Sequence, residues 1–200
     1  MVRKKPKYRY FLSRLEEART HSVQSDLSYK QVITMPKDIW ISEKWMKNPD
    51  IYHSGRRTGL RMRYDKEVDP EVKAAFQELV DWIRARFYFP VRVTVYIKAS
   101  EHVTASDGDL CVSVSFLPYS YLDEPHSKIA TGDYDELVSK RGILQAKIAI
   151  LLPLFSELTH YYQWVNDEKL TSIGEKRQAS RYAQDLMDEY LDDLGLIDQL

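Results

Sequence analysis

The stretch ILQAKIAILLPLFSELTHYYQWV, Ile143 to Val165, decides how this chain folds. Ile148, Ala149, Ile150, Leu151, Leu152, Leu154 and Phe155 leave no polar side on a helical projection, the pattern of a helix that runs through the middle of a domain. Pro153 opposes a single straight helix. Inside a helix it removes one backbone donor and clashes with the carbonyl four residues back, at a cost of about 3 kcal/mol unless accommodated. A kink, or two helices meeting, is expected there. Beyond it the character changes, and Ser156, Glu157 and His160 bring polar groups into an apolar run.

The spacing of those polar groups has chemical meaning. A helix bearing His-Glu-x-x-His puts two imidazoles on one face, one turn apart, with a glutamate beside them, which is an arrangement for zinc. In FSELTHYYQW the glutamate and second histidine stand as Glu157 and His160, and Ser156 occupies the place of the first imidazole.

Working outward, DPEVKAAFQELVDWIRARF predicts a helix with Asp69 as N-cap and Pro70 in its first turn. Phe76, Leu79, Val80, Ile83 and Phe87 form its buried stripe. VRVTVYI, with Val91, Val93, Val95 and Ile97 alternating, predicts a strand. DLCVSVSF predicts a second strand, expected to pair antiparallel with the first across the Asp107-Gly108 loop. HSKIATGDY gives a short run ending at Gly132, after which Asp133 can cap a short helix. Ser172 to about Leu194 predicts the last helix, with Ala179, Tyr182, Ala183, Leu186 and Tyr190 on its apolar side.

The first 66 residues read as a basic, irregular extension, anchored by Trp40 and Trp45, with one helical segment from Tyr8 to Thr20. Residues 67–200 read as an α+β domain. Charge is polarised: Arg3, Lys4, Lys5, Lys7, Arg9 and Arg14 open the chain, Arg56, Arg57, Arg61 and Arg63 follow, and the far end, DLMDEYLDDLGLIDQL, is acidic. The basic opening, with Tyr8, Tyr10 and Phe11, admits nucleic acid as a partner. It also admits a solvated tail, or an arm folded on the acidic end. No uninterrupted apolar run approaches the roughly 20 residues of a membrane span, and the basic start lacks the apolar core of a secretory signal. One cysteine, Cys111, forms no internal disulfide and supplies at most one metal ligand. A cytoplasmic protein without a membrane partner is expected.

SELTHYYQW followed by EKRQASRYAQDLMDEY resembles a small zincin-like metallopeptidase domain of the gluzincin kind, over roughly Asp69 to Tyr190. The resemblance implies a small sheet packed on a long, largely buried active-site helix, then a helix bearing a glutamate ligand. It implies Glu157 as the general base, and His160 and Glu175 as metal ligands. A catalytic zinc keeps three protein ligands and one open position for water. Ser156 departs from the pattern, because its hydroxyl is too short to reach a metal placed for imidazole and is a poor zinc ligand. Pro153, one turn earlier, is a second departure.

Structural readings compete for the same residues. Ser172-Ile173-Gly174-Glu175 reads as a capping box, which would tie Glu175 to its own helix terminus. Glu157 and His160 can pair with each other one turn apart. Tyr161, Tyr162 and Trp164 suit packing, and a loop histidine, His126 or His102, would have to fill the vacant ligand place.

The expectation that follows is a catalytically impaired zincin-like protein, with zinc absent or weakly held, that binds a protein or peptide. Tyr161 and the IATG segment, through Ile129 and Thr131, are its candidate contacts, the latter by strand addition. The alternatives are an active zinc metallopeptidase with a non-standard third ligand, and a nucleic-acid-associated subunit using the basic N-terminus.

Overall fold

A computed structural model describes residues 39–52 and 57–197. The helix expected at Tyr8 to Thr20, the basic opening and Arg56 lie outside them. After short helical turns at Lys44–Lys47 and Pro49–Tyr52, the described residues form, in chain order, β1 (Leu60–Tyr64), α1 (Pro70–Arg84), β2 (Val93–Lys98), β3 (Val103–Thr104), β4 (Leu110–Cys111), β5 (Ser113–Phe116), β6 (His126–Ala130), α2 (Tyr134–Arg141), α3 (Ile143–Val165) and α4 (Ser172–Leu194). The protein is α+β, with a four-stranded sheet in the order β1-β2-β6-β5 and a two-stranded β3-β4 hairpin.

Local chemistry places the helices. The Asp69 carboxylate accepts a 2.6 Å bond from the Glu71 amide, with Pro70 in the first turn, so α1 starts where the cap and proline dictate. Phe76, Leu79, Val80 and Ile83 are fully buried and Phe87 nearly so. Five of the expected apolar residues of α4 are buried as well, with Ala179 and Ala183 one turn apart against α3. Small side chains at that spacing let two helices approach closely.

Helix α3 runs unbroken through Pro153. Leu154, Phe155 and Leu158 are fully buried beyond it, and burying each such side chain contributes about 1.5–3 kcal/mol, which together offsets the proline. By length and composition alone α3 could cross a bilayer, with a mean hydropathy of 1.2 over its most apolar window. It packs instead against α2, α4, β5 and β6.

The sheet differs from the expected pairing. β1 and β2 are parallel, joined by α1, and β2 and β6 are parallel, while β5 runs antiparallel on the outer side of β6. VRVTVYI and DLCVSVSF are therefore not neighbours, because β6 lies between them. The residues that point inward explain the order. β6 buries Ile129 and Ala130 in the middle of the sheet, whereas β5 turns Ser113 and Ser115 inward and suits an edge beside a polar group.

The segment read as irregular supplies a strand and a major anchor. Leu60–Tyr64 is an edge of the sheet, and Trp40, 2% exposed, donates from Nε1 to Thr159 Oγ1 on α3 at 2.9 Å. Its ring lies 4.8 Å from both Phe87 and Tyr162. Trp45 is half-buried, 5.7 Å from Tyr88, and Asn166 at the end of α3 donates to the Ile39 carbonyl and accepts from the Trp45 amide.

Two substitutions test this frame by denaturant unfolding. Trp40→Ala removes a ring packed on α3 and on Phe87 beyond the end of α1, and is expected to cost about 3–5 kcal/mol. Gly132→Ala places a Cβ 2.5 Å from the Ala99 carbonyl oxygen, where β6 leaves the sheet against the end of β2, and is expected to cost about 1–3 kcal/mol.

Candidate functional site

The polar residues of α3 separate into two groups that face different neighbours. Glu157, 5% exposed, points at the sheet edge. Ser113 Oγ donates to its Oε1 at 2.6 Å and Ser115 Oγ to its Oε2 at 2.5 Å, so each carboxylate oxygen holds a hydroxyl. Ser127 on β6, 2.9 Å from Ser115 Oγ, extends the network. A buried carboxylate requires such partners, since burial without them costs several kcal/mol.

His160 faces away from this cluster. Its Nδ1 pairs with Gln163 Oε1 at 2.7 Å, and Gln163 Nε2 reaches α4, donating to the Glu175 carbonyl and to Gln178 Oε1. The expected Glu157–His160 pair does not form, because each has its own partners. The capping box also moves by one residue. Thr171, in an extended conformation, is the N-cap and accepts from the Gly174 amide, so Ser172 is the first helical residue and Glu175 lies beyond the capping position.

Released from that role, Glu175 lines a cavity of about 290 Å³ together with His160. Trp164 from α3, the Asp167-Glu168 turn and the Leu117–Tyr121 segment after β5 complete its walls. The wall is strapped to the helix: Trp164 Nε1 donates to the Pro118 carbonyl, Tyr121 Oη donates to the Trp164 carbonyl, and the two rings sit 4.8 Å apart. Burial, then the Asp167 carboxylate, hold the Tyr121 hydroxyl above its ordinary value, so it remains a donor. Tyr119 projects into solvent at the rim.

The remaining candidates lie elsewhere. Ser156 is half-buried on α3. Tyr161 is fully buried, its hydroxyl donating to the Val91 carbonyl at 2.7 Å and accepting from the Val91 amide at 3.1 Å. Ile129 is buried and paired on both sides, to Ile97 and to Ser113, which leaves no free edge for strand addition. Thr131, also buried, donates to the Lys98 carbonyl. His126 lies on the sheet and His102 beside β3, and neither lines the cavity.

As possible zinc donors, His160 and Glu175 share the cavity with Asp167 and Glu168, whose carboxylates pair with Lys169 and Lys44. Among the described residues no three His, Cys, Asp or Glu side chains gather so as to hold a metal ion. The described residues therefore offer no set of three ligands of the kind a catalytic zinc takes.

The serine partners of Glu157 escaped the sequence reading. Their signal was present in CVSVSF, where alternate serines mark a polar strand face, although nothing local says which acid they meet. Models of known protein families, curated protein sequences and solved structures give no match to this chain. Its fold and site define an α+β protein with a mixed sheet packed on the long helix α3, which α4 covers in turn.

Cys111, at the start of this edge, reports on Glu157. Burial, followed by the Glu157, Asp107 and Asp109 carboxylates, raises its thiol pKa, so less thiolate is present at a given pH. Iodoacetamide at pH 8 is expected to alkylate Cys111 more slowly than a free cysteine, and Glu157→Gln should speed the reaction when followed by mass spectrometry. Ser113→Ala, leaving one buried oxygen without its donor, is expected to cost about 1–3 kcal/mol in denaturant unfolding.

Proposed function

We propose that this protein is a zincin-like domain impaired in catalysis, which binds a protein or peptide partner at the cavity between α3 and α4. The observation that carries the reading is the shared cavity of His160 and Glu175, two residues from successive helices. The element order supports it too: a helix, a small sheet, a long buried helix with Glu157 and His160, then a helix with Glu175.

The impairment follows from the side chains. Ser156 supplies no imidazole, and Glu157 is engaged at both oxygens rather than turned to the cavity. The cavity keeps the features of a recognition site: Tyr119, Tyr121 and Trp164 offer aromatic surface, and Gln163, His160 and Glu175 offer polar groups. Edge strand β5 leads into its wall through Leu117 and Pro118, so an extended peptide pairing with β5 would be delivered to it.

Two measurements test the reading. Protein purified without chelator is expected to carry far less than one zinc per chain and to leave peptides uncut, and Ser156→His should raise the zinc content towards one. Stoichiometric zinc with peptidase activity abolished by Glu157→Gln would overturn the impaired-enzyme reading. Peptides selected from a random displayed library are expected to bind with micromolar affinity, and Tyr119→Ala should weaken them roughly tenfold, as truncating an interface tyrosine does, with unchanged thermal stability. Selected peptides that bind Tyr119→Ala as tightly as the native protein would place recognition elsewhere.

A further inference from the structure

The sheet has an outer face, turned away from α3, whose composition differs from the rest of the protein. The four strands β1, β2, β5 and β6 contain no aspartate or glutamate, yet they carry Arg61, Arg63, Lys98 and Lys128. Strand register puts all four cations on that face. Arg61 aligns with Thr94, His126 and Phe116, and Arg63 with Tyr96, Lys128 and Val114. Lys98 follows two residues after Tyr96, hence on the same side. In a chain whose formal net charge is -1, this is a local concentration of positive charge.

Aromatic rings lie between the cations. His126 stacks on Phe116 at 4.7 Å and 12°, and Tyr96 meets His126 edge-on at 5.9 Å. The Lys128 ammonium lies 4.8 Å over the Phe116 ring, and Lys98 is held by Asp65 at 2.7 Å. Tyr96, Lys98, His126 and Lys128 surround a hollow of about 350 Å³, with Tyr96 39% exposed. The exposed part of the Tyr96 ring is flanked by the basic side chains of Arg63 and Lys128 on the neighbouring strands.

Cations and rings in alternation match one polymer. Phosphates at regular spacing answer the cations, and unpaired bases answer the rings by stacking. An acidic protein surface would use the charges and leave the rings idle. A duplex would hide its base faces from them. We propose that the outer face of the sheet binds single-stranded nucleic acid, with backbone phosphates on Arg61, Arg63 and Lys128 and a base seated on Tyr96 beside His126. This surface uses none of the residues of the α3–α4 cavity, so either proposal can fail alone.

Fluorescence anisotropy of the full chain with labelled dT12 and U12 tests it. Binding at 50 mM salt is expected, weakening as salt rises, and a duplex of the same length should bind less tightly. Tyr96→Ala should weaken single-strand binding roughly tenfold, within the range for loss of one stacked base. Arg63→Ala and Lys128→Ala should each weaken it and lower the slope of log affinity against log salt by about 0.7, the value for one phosphate contact on a single strand. These side chains are partly exposed, and unchanged melting temperatures would show that the variants fold. No binding at low salt overturns the proposal. So does equal affinity for duplex, or binding that Tyr96→Ala, Arg63→Ala and Lys128→Ala all leave unchanged, which would point to the basic first fourteen residues.

Discussion

A carboxylate sits in the middle of this protein, and much of its arrangement answers to that fact. Helix α3 is buried along most of its length, and Glu157 on it is buried with it. Only a neighbour that supplies two hydroxyl donors makes the position tolerable. Strand β5 provides them by turning Ser113 and Ser115 to the helix. That fixes β5 as the edge at this end, puts the apolar β6 inside it, and carries the following segment across the end of α3 to make the cavity wall.

What could be read in advance divides along local and non-local lines. Asp69 and Pro70 mark the start of α1 because a cap is decided within three residues. The buried stripes of α1 and α4 follow from period alone. The pairing of β2 was not readable, since which strand lies beside it depends on residues thirty positions away. β1 was hidden for a different reason. In LRMRY the inward residues Leu60, Met62 and Tyr64 alternate correctly, but two arginines in five residues look like a surface loop until the sheet gives them a common face.

The site was legible in part for the same reasons. Glu157 and His160 share a helix and could be paired in the imagination; the structure gives them separate partners on separate sides. Ser172 and Glu175 have the spacing of a capping box, but the cap falls one residue earlier, on Thr171. The placement of His160 and Glu175 around one cavity required the turn between α3 and α4, whose geometry no spacing rule contains. Tyr161 drew attention through its position in the motif, and its burial shows that an aromatic beside polar residues on a helix can face the opposite way.

That tyrosine has a wider meaning. Its hydroxyl meets both the donor and the acceptor of Val91, two residues before β2 begins, and so takes the place that another strand would occupy. The helix is thereby pegged to the backbone of the sheet, not merely to its side chains. A joint of that kind holds while the letters around it drift: the cavity side of α3 is free to change without loosening the joint that sets the helix against the sheet.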